Sequence, residues 1–367
     1  MKYKITTLKN GLTIVEVPSN ETQSVIVDIF VKTGSRSETA KENGISHFLE
    51  HFLFKGTKKY PSAMAITEIV DGFGGEMNAN TGKEHTQYFI RGHHKKLKTI
   101  FEILTDMIQN PLLDKDEMER EKGVIVEEIN MYKDMPMRDI GNILEQEMYK
   151  GDPLGRDIAG TPPVVKKFTQ NMFVDYLTRH YQTKNMIIGV AGKYDAKLFK
   201  KLVNQHWANL PAKKFHQYPK LKDTQRTARF RVDYKETDQA HFNLGFKAYK
   251  YTDKKNIYAD VLAAVLGGGM SSRLFSEIRE RRGLAYYVRT YNSNYQDTGV
   301  FDVSSGVTVD KIEKALQVTL DQLSLIKEEL VSEKELKKAK EYIKGRVTLA
   351  LEDSQSKLDW YLGPNSF

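Results

Sequence analysis

The chain has 367 residues, 40% of them hydrophobic and 28% charged, a formal net charge of +8 and no cysteine. That length suits two domains of ordinary size, each able to bury its own core. The lack of cysteine excludes a disulfide framework, a zinc ribbon and a cysteine nucleophile, so a metal must be held by His, Asp or Glu; Lys+Arg 56 against Asp+Glu 48 describes a surface of both signs, with no basic stripe for nucleic acid.

The first residues, from Met1 to Lys9, lack the apolar centre of a secretory signal, and no later stretch is apolar and long enough to cross a bilayer. A cytoplasmic protein without membrane contact is expected; a mature organellar protein would read the same. Strand-like 12–17 and 24–31 lead to a helix over 44–55, a Gly-containing break and a helix from Ser62. Strands at 76–81 and 86–90 follow, then helices at 94–109, 114–135 and 165–181 and a strand at 186–190. From Phe230 the order recurs, with strands at 230–234 and 240–246, helix 256–266, the break Gly267-Gly268-Gly269, and helix 272–282. Strands 286–293 and 299–305 and helices 309–328 and 333–352 complete it.

This is an internal duplication with a period of about 210 residues. It predicts an α+β fold of two homologous sandwich-like domains, each an antiparallel-rich sheet packed by helices. The boundaries are 1–212, a charged linker 213–229, and 230–367. The second copy ends soon after its long helix and is expected to be incomplete at its C-terminus.

Chemistry concentrates in His47-Phe48-Leu49-Glu50-His51. At 100° per residue, Ile45, Phe48, Leu49, Phe52 and Leu53 form an apolar face, while His47, Glu50, His51 and Phe54 fall opposite. Two imidazoles four apart can grip one cation, with the carboxylate between them free to act on its water. An ordinary amphipathic helix is the plainer alternative, against which Phe54 argues by suggesting a cleft. In helix 114–135, Glu121 and Glu128 share a side with Val124, Ile125 and Tyr132, whereas Glu127 and Glu119 point with Arg120, Lys122 and Lys133. Carboxylates in an apolar stripe need a partner. The wheel therefore offers Glu121 or Glu128 as third ligand without choosing between them, beside the alternative of a structural ion pair with a buried Lys or Arg.

With Gly44-Ile45-Ser46 before the two histidines, Lys55-Gly56-Thr57 after them, Asn78-Ala79, 84–88 and 121–132, the chain resembles the pitrilysin/insulinase family of inverted zincins, nearest its mitochondrial-processing-peptidase-like bacterial branch. The likeness implies a clamshell half and a zinc endopeptidase for short or unfolded peptides. It assigns Glu128, 77 positions after His51, as third ligand, Glu121 as a carboxylate behind the site, and Glu50 as general base. It also implies that Arg279 and Tyr286, seven apart, hold substrate and stabilise the oxyanion, and that Asn78 and Ala79 lie on the strand edge where substrate adds. Keeping both the ligands and the Arg/Tyr pair implies a self-sufficient homodimer; a hetero-pair with a related subunit is the alternative assembly. Zinc suits the ligand set best, ahead of Mn²⁺ or Co²⁺.

Two other classes compete. A non-catalytic peptide-binding or scaffold protein of the same fold would usually have lost ligands, and a nucleic-acid-binding protein would show clustered basic residues. The remaining histidines, His85, His93, His94, His180, His206, His216 and His241, have no spacing that builds a second site.

Overall fold

The computed structural model describes residues 2–213, 218–223 and 225–365, so part of the predicted linker, and His216 with it, lies outside the described residues. Contacts divide the chain into two compact units. One comprises the residues up to Asn130, Arg156–Pro219 and those from Ala350 on; the other comprises Met131–Gly155 and Lys220–Leu349.

The first unit opens with β1 (Lys4–Thr7), β2 (Thr13–Pro18) and β3 (Ser24–Val31), then α1 (Ile45–Phe52), α2 (Ala63–Asp71), β4 (Glu76–Thr81), β5 (Thr86–His93), α3 (Leu97–Gln109) and α4 (Lys115–Lys133). Next comes α5 (Pro136–Met148), which belongs to the second unit. The first unit resumes with α6 (Pro162–Val165), α7 (Gln170–His180), β6 (Met186–Gly192) and α8 (Ala196–His206). Its strands form one sheet in the order β1-β2-β6-β3-β5-β4. Central strands β3 and β6 read as near-continuous apolar runs because both faces are covered. Val25, Val27, Ile29 and Val31 face the main core with α1 and α3, while Ile26 and Phe30 face the opposite side.

The second unit contains β7 (Gln239–Ala248), α9 (Asn256–Gly267), a turn of π-helix Phe275–Glu280, β8 (Ala285–Asn294), β9 (Gly299–Thr308), α10 (Ile312–Glu328) and α11 (Glu333–Ala350). Its sheet order, β7-β9-β8, repeats β3-β5-β4 of the first, all antiparallel and with the helices in corresponding places. The duplication expected from the sequence is therefore present in the topology. Among the described residues no helix is long and apolar enough to cross a membrane.

The structure departs from the sequence reading in several places. Residues 230–234 form no strand: Phe230, Val232 and Tyr234 are 91%, 84% and 91% exposed. In the first unit β2 is paired by β6, but among the described residues the second sheet has no strand beyond β7, and alternation without a backbone partner does not make a strand. The helix expected over 165–181 is shorter and starts at Gln170. The helix expected over 272–282 is wound partly in π geometry. Strand β1 and helices α5, α8 and α12 (Ser354–Asn365) have no counterpart in the sequence reading.

Two of those helices make the units discontinuous where the sequence reading drew continuous segments. Each follows the long helix of its own copy yet packs on the other copy's sheet, α12 on β6, β2 and β3 and α5 on β7. Both seats are cut by a glycine. A Cβ on Gly189 of β6 would lie 2.8 Å from Leu358, and one on Gly245 of β7 2.6 Å from Met148.

Under α12, Leu358 and Leu362 pack on Val15, Val17, Ile26 and Ile187, and the same face carries the fully buried Asp28. Its Oδ1 has no hydrogen-bond partner, while Gln87 and Gln355 Nε2 reach Oδ2 at 3.5 and 3.4 Å and also reach Asp359 Oδ1 at 3.0 and 3.1 Å. Burial first, then the neighbouring Asp359, pushes the Asp28 carboxyl well above its usual range against the opposing Gln355 bond. A carboxyl raised in the folded state contributes stability below its unfolded pKa that is lost as pH rises through the folded one. Thermal melts from pH 5 to 9 should show the wild-type midpoint falling with pH, and Asp28→Asn should flatten that slope and gain on the order of 1–3 kcal/mol at the alkaline end. Parallel slopes for the two proteins would contradict this.

Candidate metal centre

Helix α1 is fixed before it presents any chemistry. Gly44 caps it at φ 100°, a conformation that costs glycine little, and a Cβ there would lie 2.6 Å from the Ala159 carbonyl oxygen. The buried Glu38 side chain accepts from the backbone N–H groups of Gly44 (2.8 Å) and Ser46 (2.9 Å) and from Asn43 Nδ2 (3.0 Å). Burial pushes its carboxyl up to about 7 although these donors favour the anion. Along the core side Phe48 and Phe52 pack edge-on to each other and against Phe173. The opposite side of the helix, with His47, Glu50 and His51, is thereby held in one orientation.

Helix α4 turns Met118, Glu121, Ile125 and Ile129 inward. The stripe differs from the one expected in one residue, since Val124 is 52% exposed. Glu127 and Glu119 are exposed, as the wheel reading required. Glu128 Oε2 lies 3.3 Å from His51 Nε2 and 3.6 Å from His47 Nε2. Both distances exceed an N–H···O hydrogen bond of about 2.7–3.2 Å. They match the edges of a tetrahedron around zinc, where bonds of about 2.0–2.2 Å set ligand atoms about 3.3–3.6 Å apart. All three ligand atoms lie within 4.8 Å of one another, the one such group of His and carboxylates among the described residues. Glu128 Oε2 is buried and makes no hydrogen bond. Two imidazole nitrogens and an unbonded carboxylate oxygen fit a divalent cation of the zinc type.

The other expected carboxylate has a different task. Glu121 is 3% exposed and pairs with His51 Nδ1 at 2.9 Å and with Lys55 Nζ at 2.6 Å. The alternatives left open on the helical wheel thus divide, Glu128 toward the open side of the rings and Glu121 behind them in an ion pair. Burial opposes the charge of Glu121, yet His51 and Lys55 hold its carboxyl below the ordinary value. The His47 and His51 rings hold Glu128 well below it. Burial also opposes charge on His51, but Glu121 and Glu128 outweigh it and raise the imidazole to about 9.

Glu50 is half-buried near the bonded hydroxyls of Tyr88 and Tyr181, 2.8 Å apart. Both phenols are raised, chiefly by burial and in part by the Glu50 charge. Phe54 packs against the core near Tyr88. Asn78 and Ala79 lie on β4, an edge strand of the sheet. Arg279 and Tyr286 belong to the second unit, where the Arg279 guanidinium sits 5.0 Å from the Phe275 ring centroid and Tyr286 is 53% exposed at the start of β8. His85 stacks on Phe30 and is lowered to about 4 by burial. Sequence reasoning missed Glu38, Lys55 and the tyrosine pair. Lys55 alone left a signal, four positions after His51; Glu38 and the tyrosines are joined to the site only by the fold.

Residues 14–162 match the family described as Insulinase (Peptidase family M16), and residues 167–343 match the Peptidase M16 inactive domain. A Bacillus subtilis protein named an uncharacterized zinc protease is 35% identical over 361 residues, covering 96% of this chain and 85% of its own. One from Streptomyces coelicolor, similarly named, is 35% identical over 363 residues, 95% of this chain and 77% of its own. The crystal structure of a protease from Helicobacter pylori superposes with TM-score 0.93 at 28% identity, covering 100% of this chain and 89% of that one. A peptidase M16 inactive domain from Pseudomonas fluorescens, 19% identical with TM-score 0.85 over 94% of this chain and 84% of that one, shares the fold.

With His51 raised to about 9, the metal-free protein carries a proton on this ring at pH 7.5, and a cation must displace it. Calorimetric titration with Zn²⁺ in buffers of different ionisation enthalpy should report release of about one proton per ion, and affinity should fall as pH is lowered. Release near zero would mean that the His51 ring is neutral before binding.

Proposed function

The chain belongs to the insulinase family, peptidase family M16, and from that premise we propose that it is a zinc-dependent endopeptidase with His47, His51 and Glu128 as ligands. One observation carries this reading, the approach of two imidazole Nε2 atoms to a single buried carboxylate oxygen at 3.3 and 3.6 Å. A zinc ion held by these three residues would supply Lewis-acid polarisation of a carbonyl and would lower the pKa of a bound water to about 7.

The remaining work falls to side chains. Glu121, by accepting from Nδ1–H of His51, sets the tautomer that leaves Nε2 free to ligate. Lys55 neutralises Glu121 from the other side. Glu50 takes a proton from the attacking water and returns it to the leaving amine nitrogen. Tyr88 and Tyr181, raised as they are, keep their own protons. An extended peptide adds along the free edge of β4 past Asn78 and Ala79, bound mainly by main-chain hydrogen bonds, so shape and extension matter more than sequence. Short or unfolded polypeptides are the substrate class this supports.

Glu50→Gln should lower hydrolysis of an unstructured fluorogenic peptide by at least ~10²–10⁴-fold while one zinc per chain is retained. Unchanged turnover would remove Glu50 as the base, and a chain with neither zinc nor chelator-sensitive cleavage would be a scaffold. Glu121→Gln should instead weaken zinc by ~10–100-fold, read by competition with a chromogenic chelator.

A further inference from the structure

The face of the first sheet that lies under α12 carries acidic groups that the candidate zinc centre does not use. Asp28 of β3 has no exposed surface, and Asp359 of α12 stands at the rim, open to solvent. Gln87 of β5 and Gln355 of α12 lie between them. Each amide Nε2 contacts both carboxylates, 3.5 and 3.4 Å from Asp28 Oδ2 and 3.0 and 3.1 Å from Asp359 Oδ1. The four atoms therefore close a ring. The two contacts to Asp28 exceed an ordinary N–H···O bond of about 2.7–3.2 Å, so the deepest carboxylate is the least satisfied. Its Oδ1 accepts no hydrogen bond, and neither does the buried Oε1 of Gln355.

No side-chain cation answers these acids. Arg91 is engaged by Asp353 at 2.7 Å and Glu76 at 2.6 Å, and Lys357 Nζ lies 3.7 Å from Glu21. Among the described residues no Lys, Arg or His pairs with Asp28 or Asp359. A buried carboxylate with neither counter-ion nor good donor is costly; a proton relieves it, and so does a metal ion.

The donor set tells which ion. A half-turn of either glutamine's terminal torsion exchanges Nε2 for Oε1 at the same place, which makes the ring one of four oxygens. With sides of 3.0–3.5 Å, a square ring has its centre about 2.3 Å from each corner, within the range of about 2.3–2.6 Å for Ca²⁺–oxygen bonds; Mg²⁺, at about 2.0–2.1 Å, requires a tighter one. Carboxylates and amide carbonyls without imidazole suit a hard cation and not zinc. The exposed rim at Asp359 gives an ion its way in and leaves room for the waters that complete its shell.

We propose that Asp28, Asp359, Gln87 and Gln355 form a Ca²⁺ site that fastens α12 to β3 and β5. It lies on the opposite face of the sheet from α1 and does not depend on the zinc-peptidase reading.

The full chain, freed of divalent ions on a chelating resin, is dialysed to equilibrium against ⁴⁵Ca²⁺ at pH 8. About one Ca²⁺ per chain should be bound at ~1 mM, and Asp28→Asn and Asp359→Asn should each weaken binding by ~10-fold or more. Glu128→Gln, which alters the candidate zinc centre, should bind Ca²⁺ as wild type does. In thermal melts Ca²⁺ should raise the wild-type midpoint by ~2–4 °C, Mg²⁺ at equal concentration should raise it less, and neither Asn variant should respond. Circular dichroism checks that the variants fold, and Asp359→Asn, at the exposed rim, carries the test should Asp28→Asn not fold. Absence of bound Ca²⁺, binding that survives both Asn substitutions, or binding lost with Glu128→Gln would each overturn the proposal. A midpoint shift matched by choline chloride of equal ionic strength would do the same.

Discussion

One carboxylate oxygen, Glu128 Oε2, faces two imidazole nitrogens without bonding to either, and much of the first unit is arranged to keep it there. A buried anion with no hydrogen bond is costly unless a cation meets it. The groups that answer it come from a helix far away in sequence, and each degree of freedom of that helix is removed. Glu38 and Gly44 fix where α1 begins, the Phe48–Phe52–Phe173 cluster fixes its rotation, and Glu121 with Lys55 fixes the tilt of the His51 ring. On α4 the buried Met118, Ile125 and Ile129 turn Glu121 and Glu128 inward together. The site is the meeting point of two independently anchored helices, which is what preorganised metal chemistry requires.

The same architecture appears twice with different side chains facing its niche. β3-β5-β4 and β7-β9-β8 share strand order and antiparallel sense, and α1 and α9 lie against the edge strands β4 and β8. In one niche nitrogen and carboxylate oxygen suit a cation; in the other, small residues leave a cavity edged by arginine. Duplication preserves backbone geometry because strand pairing and helix seating depend on patterns of apolar residues, whereas the few residues facing the niche are free to change.

Much of this was readable in the chain itself. The run His47–His51, its separation from the apolar face, the two candidate carboxylates on α4 and the recurrence from residue 230 all follow from short-range periodicity. The errors arose where periodicity is blind. Phe230, Val232 and Tyr234 alternate like a strand yet stand in solvent because pairing needs a neighbour, not a pattern. The helices α5 and α12 were overlooked, and with them the discontinuity of both units, since an amphipathic helix does not announce which sheet it will cover.

The sequence by itself determined which residue types could share one cation, because a candidate ligand set is a list of residue types at helical spacing, and spacing survives without a fold. Helical spacing left Glu128 and Glu121, two turns apart on one face, undivided, and only the family resemblance parted them; tertiary structure gives that division its physical form, since the position of α1 beside α4 puts one carboxylate before the rings and the other behind them. It alone also brought Glu38, Lys55 and the Tyr88–Tyr181 pair to the site, and gathered Arg279, Arg289 and Arg346 around one cavity. Contacts between residues remote in the chain carry no periodic trace; they exist only once the core has closed.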